Sequence, residues 1–181
     1  VGVSSSFSHI VKVALASVCQ PIIVVLGAYA ERIQPELDLL KVNIIKNPLW
    51  YEGMSTSIRL GVETLNIINP DVEAVVIMLC DQPFVNSQLI NQLVEVHKTN
   101  HQLIVASEYA NTMGVPALFH RALFAKLTTL SGKVGAKQII KNYAQEVLAI
   151  PFPQGLIDLD TPQDYEQLMA ENQQPTTMQI P

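Results

Sequence analysis

Apolar residues along this chain switch repeatedly between two periods, and that alternation restricts the fold more than any single motif does. Phe7, Ile10, Val11, Ala14, Leu15 and Val18 recur at helical spacing, which predicts an amphipathic helix ended by Pro21. Ile22–Leu26 follows as an unbroken β-branched run, suited to a strand covered on both faces. Val42–Ile45 reads as a second strand, and Met54, Ile58, Val62 and Leu65 as the stripe of another helix. The strongest strand is Ala74–Cys80, closed abruptly by Asp81-Gln82-Pro83. Asn86 or Ser87 caps the next helix, striped by Leu89, Ile90, Leu93, Val94 and His97. Leu103–Ala106, Ala117–Phe119 (reached through Gly114-Val115-Pro116) and Val147–Ile150 are further strands. Short helices are expected over about 121–127 and 136–143. A last helix starts at Thr161-Pro162, with Thr161 as N-cap and Asp164 in its first turn. Strands alternating with helices predict an α/β fold, a three-layer α/β/α sandwich around a mainly parallel sheet. A single domain is expected over residues 1–170, with 171–181 as a flexible tail.

Charge and composition remove several function classes. Eleven Lys plus Arg against sixteen Asp plus Glu give a formal charge of -5, and no basic run is present. Such a surface does not suit a nucleic-acid partner held by phosphate neutralisation. The apolar stretches are strand-sized, far short of the roughly 20 residues that a membrane span needs. No basic, apolar and small-residue leader opens the chain, so a cytoplasmic protein is expected. Cys19 and Cys80 make no metal-ligand spacing and read as buried free thiols. His9, His97, His101 and His120 show none either, and His97, on its helical stripe, reads as a core-edge histidine. G-x-S-x-G, G-x-G-x-x-G and H-E-x-x-H are all missing, which disfavours a hydrolase, a dinucleotide oxidoreductase and a zinc peptidase.

In open α/β sheets, ligands bind beyond the carboxyl ends of strands, so the segments that follow strands carry the candidates. Asp81, at the mouth of the most apolar strand, suits a hard cation with phosphate as co-ligand, or simply a strand-ending turn. Asp158 and Asp160 face one side if extended and precede a helix start; they read as metal ligands or as a double capping signal. In Trp50–Ser57, Gly53 permits close approach, and Ser55, Thr56 and Ser57 offer hydroxyls to a phosphate, to a base edge, or to the helix cap itself. Gly132-Lys133-Val134-Gly135-Ala136-Lys137 is a weak anion-cradle signal that lacks Walker A spacing.

Six segments in order, PIIVVLG from Pro21, NPLWYEGMSTSIRLG from Asn47, MLCDQPFV from Met78, GVPALF from Gly114, GKVGAK from Gly132 and DLDTPQDY from Asp158, resemble the molybdenum-cofactor nucleotidyltransferases, most closely the cytidylyltransferase branch. The resemblance spans about Phe7 to Leu168. It implies a nucleotide-diphospho-sugar-transferase-like fold. It also implies transfer of a nucleoside monophosphate, CMP favoured over GMP, from a nucleoside triphosphate to the phosphate of molybdopterin, with release of pyrophosphate. By the resemblance, Asp81 with Asp158 or Asp160 would hold Mg²⁺ (or Mn²⁺) and act catalytically. Asn47, Gly53, Ser55 and Ser57 would hold the nucleotide, and Gly114, Pro116, Gly135 and Lys137 the acceptor. A molybdoenzyme receiving the product is a further implied partner.

Two departures bear on this. Lys137 stands where the family usually has Arg, keeping the charge without bidentate geometry, and Lys133 stands where it has Asp. The family's opening Gly-rich loop, L-A-A-G-x-S-x-R-x-G-x-x-K, has no counterpart among the residues before Lys12. Two alternatives therefore stand beside the transferase. One is a non-catalytic molybdopterin-binding protein without the triphosphate loop; the other is a related nucleotidyltransferase acting on a sugar phosphate.

Overall fold

β-Branched runs become strands and striped segments become helices. The computed structural model describes residues 2–156, with side chains from Phe7 onward. In order come α1 (Gly2–Leu15), β1 (Ile23–Leu26), α2 (Ala30–Leu37), β2 (Asn43–Lys46), α3 (Met54–Ile68) and β3 (Ala74–Ile77). They are followed by α4 (Ser87–Asn100), β4 (Ile104–Tyr109), β5 (Thr112–His120), α5 (Phe124–Thr128), α6 (Lys137–Asn142) and β6 (Val147–Pro151). Asp158, Asp160, the helix start at Thr161 and the tail lie outside the described residues.

The described strands form two sheets: a parallel β1-β2 pair and a four-stranded sheet in the order β3-β5-β4-β6. Side chains alternate across this middle layer with the two-residue period of a pleat. Val24, Leu26, Val76, Val105 and Leu118 meet α1, α2 and α4 through Ile10, Val11, Ile33, Leu37, Ile90 and Leu93. Ile23, Val75, Ile104, Ala117 and Phe119 meet α3, α5 and α6 through Ile58, Val62, Phe124, Leu127 and Ile140. The expected three layers are present, and both helical layers touch both sheets.

The sheet is mixed where a mainly parallel one is expected. β5 runs antiparallel to β3 and β4, while β4 and β6 are parallel. The cause is a tight hairpin: Tyr109 pairs with Thr112 across Ala110-Asn111, both at positive φ (50° and 57°), as a type I′ turn requires. Gly114-Val115-Pro116 belongs to β5 instead of leading into it. Pro116 has no N–H to give to a ladder, and the register of β4 against β5 shifts between Ala106 and Ser107.

Other boundaries move for local reasons. α1 stops at Leu15, well before Pro21, because the Ser17 hydroxyl takes the Ala14 carbonyl at 2.6 Å; Val18 is left exposed. The strand expected over Ala74–Cys80 pairs only as far as Ile77, opposite Ala117. α2 carries Pro35 inside it, and its helix was hidden in the sequence by that residue. Asn86 is the N-cap of α4, its Oδ1 accepting the Leu89 N–H at 2.9 Å. His97 is buried, with Nδ1 2.8 Å from the Gln102 carbonyl oxygen. Cys19 and Cys80 are free thiols, as expected, but half-buried.

Candidate functional site

The loops that leave β1 and β2 are tied together at once. The Asn47 N–H donates to the Leu26 carbonyl at 2.8 Å, so the two strand ends are held in step. Asn47 itself is buried. Its Nδ2 donates to Thr56 Oγ1 (2.8 Å) and to Ser57 Oγ (2.9 Å), and its Oδ1 accepts the Leu49 N–H (3.0 Å). Thr56 Oγ1 reaches the Leu49 and Gly53 carbonyls in turn. One amide and one hydroxyl thus fix the whole passage from β2 into α3.

That passage is pressed against the Gly132 loop. Gly53 sits at φ 121° and ψ 177°, a region open in practice only to glycine. A Cβ there would lie 2.5 Å from the Gly132 carbonyl oxygen. Ser55, fully buried, donates its hydroxyl to that same oxygen at 2.7 Å, and Arg59 Nη2 donates to the Leu130 carbonyl at 3.0 Å. Gly135 abuts Met54, and α6 begins at Lys137. Asn47, Gly53, Ser55 and Ser57 therefore come together with Gly135 and with the segment leading to Lys137.

Gly114 and Pro116 belong to a different neighbourhood, on β5 where Gln82 reaches it. Three side chains hold the carbonyl groups of Val115 and Pro116: Gln82 Nε2 donates to Val115 (3.0 Å), Tyr109 Oη to Val115 (3.3 Å), and Ser107 Oγ to Pro116 (2.7 Å). Asp81 follows the carboxyl end of β3, where sequence reasoning places it. Gln82 carries no role in the sequence reading, yet it is buried and its Oε1 is enclosed without a hydrogen-bond partner. Its only sequence signal is a polar residue between an apolar strand and a proline. Burial first, and then the adjacent Asp81 charge, push the Cys80 thiol up to about 11, so it stays a neutral thiol at neutral pH and is a poor nucleophile there.

Among the described residues no group of three or more His, Cys, Asp or Glu side chains could hold a metal by itself. The donors at the end of β3 are nonetheless hard oxygens, the Asp81 carboxylate and the Gln82 amide. Such a set fits Mg²⁺ or Mn²⁺ that takes its other ligands from phosphate and water. No described helix is long and apolar enough to cross a membrane.

A family profile described as the MobA-like NTP transferase domain matches residues 5–147. A sequence comparison with curated proteins found no match. Among solved structures, the chain is 26% identical to the Rv0371c homologue of Mycobacterium sp. strain JC1, with TM-score 0.71, covering 92% of this chain and 81% of that one. The manganese complex of Rv0371c from Mycobacterium tuberculosis H37Rv is 24% identical, with TM-score 0.67 and coverage of 91% and 86%. The 4-diphosphocytidyl-2C-methyl-D-erythritol synthase of Anaerococcus prevotii DSM 20548 is 16% identical, with TM-score 0.72 and coverage of 93% and 86%. These neighbours share the nucleotide-diphospho-sugar-transferase-like fold.

Proposed function

The chain belongs to the MobA-like NTP transferase domain family, and on that premise we propose that it transfers CMP, in preference to GMP, from a nucleoside triphosphate to the phosphate of molybdopterin. An acceptor phosphate oxygen attacks the α-phosphorus in line; the new P–O bond forms as the bond to the β-phosphate oxygen breaks, and pyrophosphate leaves. The observation that carries the reading is the position of Asp81, held at the carboxyl end of β3 beside a segment fixed by Gln82, Tyr109 and Ser107.

In this reading the chain's residues position and neutralise, with no covalent intermediate. Asp81, with Gln82 and with Asp158 or Asp160, would hold Mg²⁺ or Mn²⁺. Such an ion supplies positive charge where phosphate oxygens gather. Ser57 and the first turn of α3 offer a hydroxyl and helix-terminal N–H groups to the nucleotide. Asn47, Gly53 and Ser55 position that turn. Lys133 and Lys137 bring positive charge from the neighbouring loop, in which Gly135 abuts Met54, while Gly114 and Pro116 shape the acceptor side.

The similarity to a synthase of a diphosphocytidyl product favours a second reading, in which the acceptor is a sugar-like phosphate. Purified protein supplied with Mg²⁺, labelled CTP or GTP, and either molybdopterin or a panel of sugar phosphates separates the readings. Pyrophosphate release with CTP and molybdopterin is expected, and Asp81→Asn should lower it about 100-fold or more while weakening Mn²⁺ binding measured by paramagnetic resonance. Release that requires a sugar phosphate supports the second reading. Molybdopterin binding indifferent to Mg²⁺ and nucleotide, with no turnover, would point to a binding protein.

A further inference from the structure

Trp50 is the only tryptophan of the chain, and neither hydrophobic core cluster includes it. It opens a short 3₁₀ turn, Trp50–Glu52, between β2 and α3. Trp50 is 49% exposed and Tyr51 65%, and their rings meet edge to face, with centroids 6.2 Å apart and planes at 83°. The root of the side chain is anchored all the same: a Cβ built on Gly27, just beyond β1, would lie 3.0 Å from Trp50 Cβ. The turn is further closed by the Gly53 N–H, which donates to the Trp50 carbonyl at 3.2 Å.

A cationic residue comes from the neighbouring loop. The Cα of Lys133 would lie 2.9 Å from a Cβ built on Gly53, so the lysine-bearing segment abuts the aromatic turn. An aromatic face anchored at its root and open to solvent, on a turn that the Lys133 backbone abuts, complements a ligand that is both planar and anionic. Its place beyond the carboxyl ends of two parallel strands makes it continuous with the candidate site.

We infer that the open face of Trp50, with Tyr51 at its edge, is a stacking platform for the planar heteroaromatic ring of a phosphorylated ligand. The inference rests on the nucleotidyl-transfer reading and assigns the residues that hold the ring. Both a nucleobase and a pterin have this chemistry, so the test carries an arm for each.

Because Trp50 is the sole tryptophan, emission excited at 295 nm reports on this position alone. Wild-type protein is titrated in Mg²⁺ with CTP, GTP and molybdopterin, and binding is measured in parallel by equilibrium dialysis. Saturable quenching that follows the dialysis isotherm is expected, and the ligand that produces it identifies the stacked ring. Trp50→Leu should weaken that ligand about tenfold or more, within the range for loss of one base–aromatic stack. Trp50→Phe, which keeps a ring, should restore most of the affinity. Thermal unfolding of both variants near the wild-type midpoint shows that the change is local. Ligand bound equally by wild type and Trp50→Leu, without quenching, overturns the platform and leaves the transferase reading standing. Absence of binding by dialysis overturns both. A concentration-dependent emission shift without ligand, matched by dimer formation in sedimentation, assigns the face to a second copy of the chain and overturns the platform.

Discussion

Replacing Gly53 by alanine probes the joint between the two loops of the candidate site, and its cost can be worked from the geometry. The backbone at φ 121° and ψ 177° is disfavoured for any residue with a Cβ, by about 1–3 kcal/mol. The new methyl would also lie 2.5 Å from the Gly132 oxygen and 2.9 Å from both Gly132 C and Lys133 Cα. These are backbone atoms, so no rotamer change relieves the overlap and the loop must retreat. Retreat breaks the Ser55–Gly132 hydrogen bond of 2.7 Å, worth about 1 kcal/mol net. Together these predict a loss of about 3 kcal/mol, or about 6–12 °C in melting temperature at this chain size. Gly132→Ala is the control: its φ is 69° but nothing lies within 4 Å of a built Cβ. Only the left-handed backbone penalty of about 1–2 kcal/mol then applies. Urea unfolding of both variants checks the difference. Equal destabilisation would refute the claim that the two loops are in rigid contact.

Two further perturbations test other parts of the account. Ser107→Ala removes a fully buried hydroxyl from the Pro116 carbonyl and should cost about 1–3 kcal/mol in urea unfolding with an unchanged m-value; a loss under about 0.5 kcal/mol would show that the bulge is held by other contacts. The Cys80 thiol is raised from 9.0 to about 11, so its contribution to stability is complete below pH 9 and falls away as pH rises through about 11. Alkylation of Cys80 should accordingly be slow at pH 8 and climb until about pH 11, and a rate at pH 8 equal to that of the urea-unfolded chain would contradict this.

The strands and the capped helix were legible because their signals are local. Val24, Val76 and Val105 are β-branched residues within short apolar runs, and Asn86 precedes a clear stripe. The hairpin between β4 and β5 carried no such mark, since Ala110-Asn111 lacks the glycine that announces most type I′ turns. The opposite direction of β5 was lost with it. Asp81 was legible as a carboxylate after a strand, whereas Gln82 became visible only through its bond to Val115, 33 positions away. Likewise Ser55 and Gly132 are 77 positions apart, and no periodicity reports that they touch. The segments that the resemblance assigns together to the acceptor lie in two places: Gly135 packs against Met54, while Gly114 packs against Tyr109 and the Pro116 carbonyl is held by Ser107.

The division of the middle layer into two sheets has a mechanical consequence. β1 pairs with β2 and β3 with β5, so each of β1 and β3 has one edge without a ladder partner among the described residues. The same two layers of helices nevertheless cover both sheets. Among the described residues, then, Val24 and Leu26 of β1 and Val76 of β3 meet through the side chains of a shared cluster. The β1-β2 pair, which carries the Asn47 and Trp50 loops, and the sheet that leads into Asp81 are thereby seated on one packed core, so a change of volume at Leu26, Val76 or Leu93 should be felt at both.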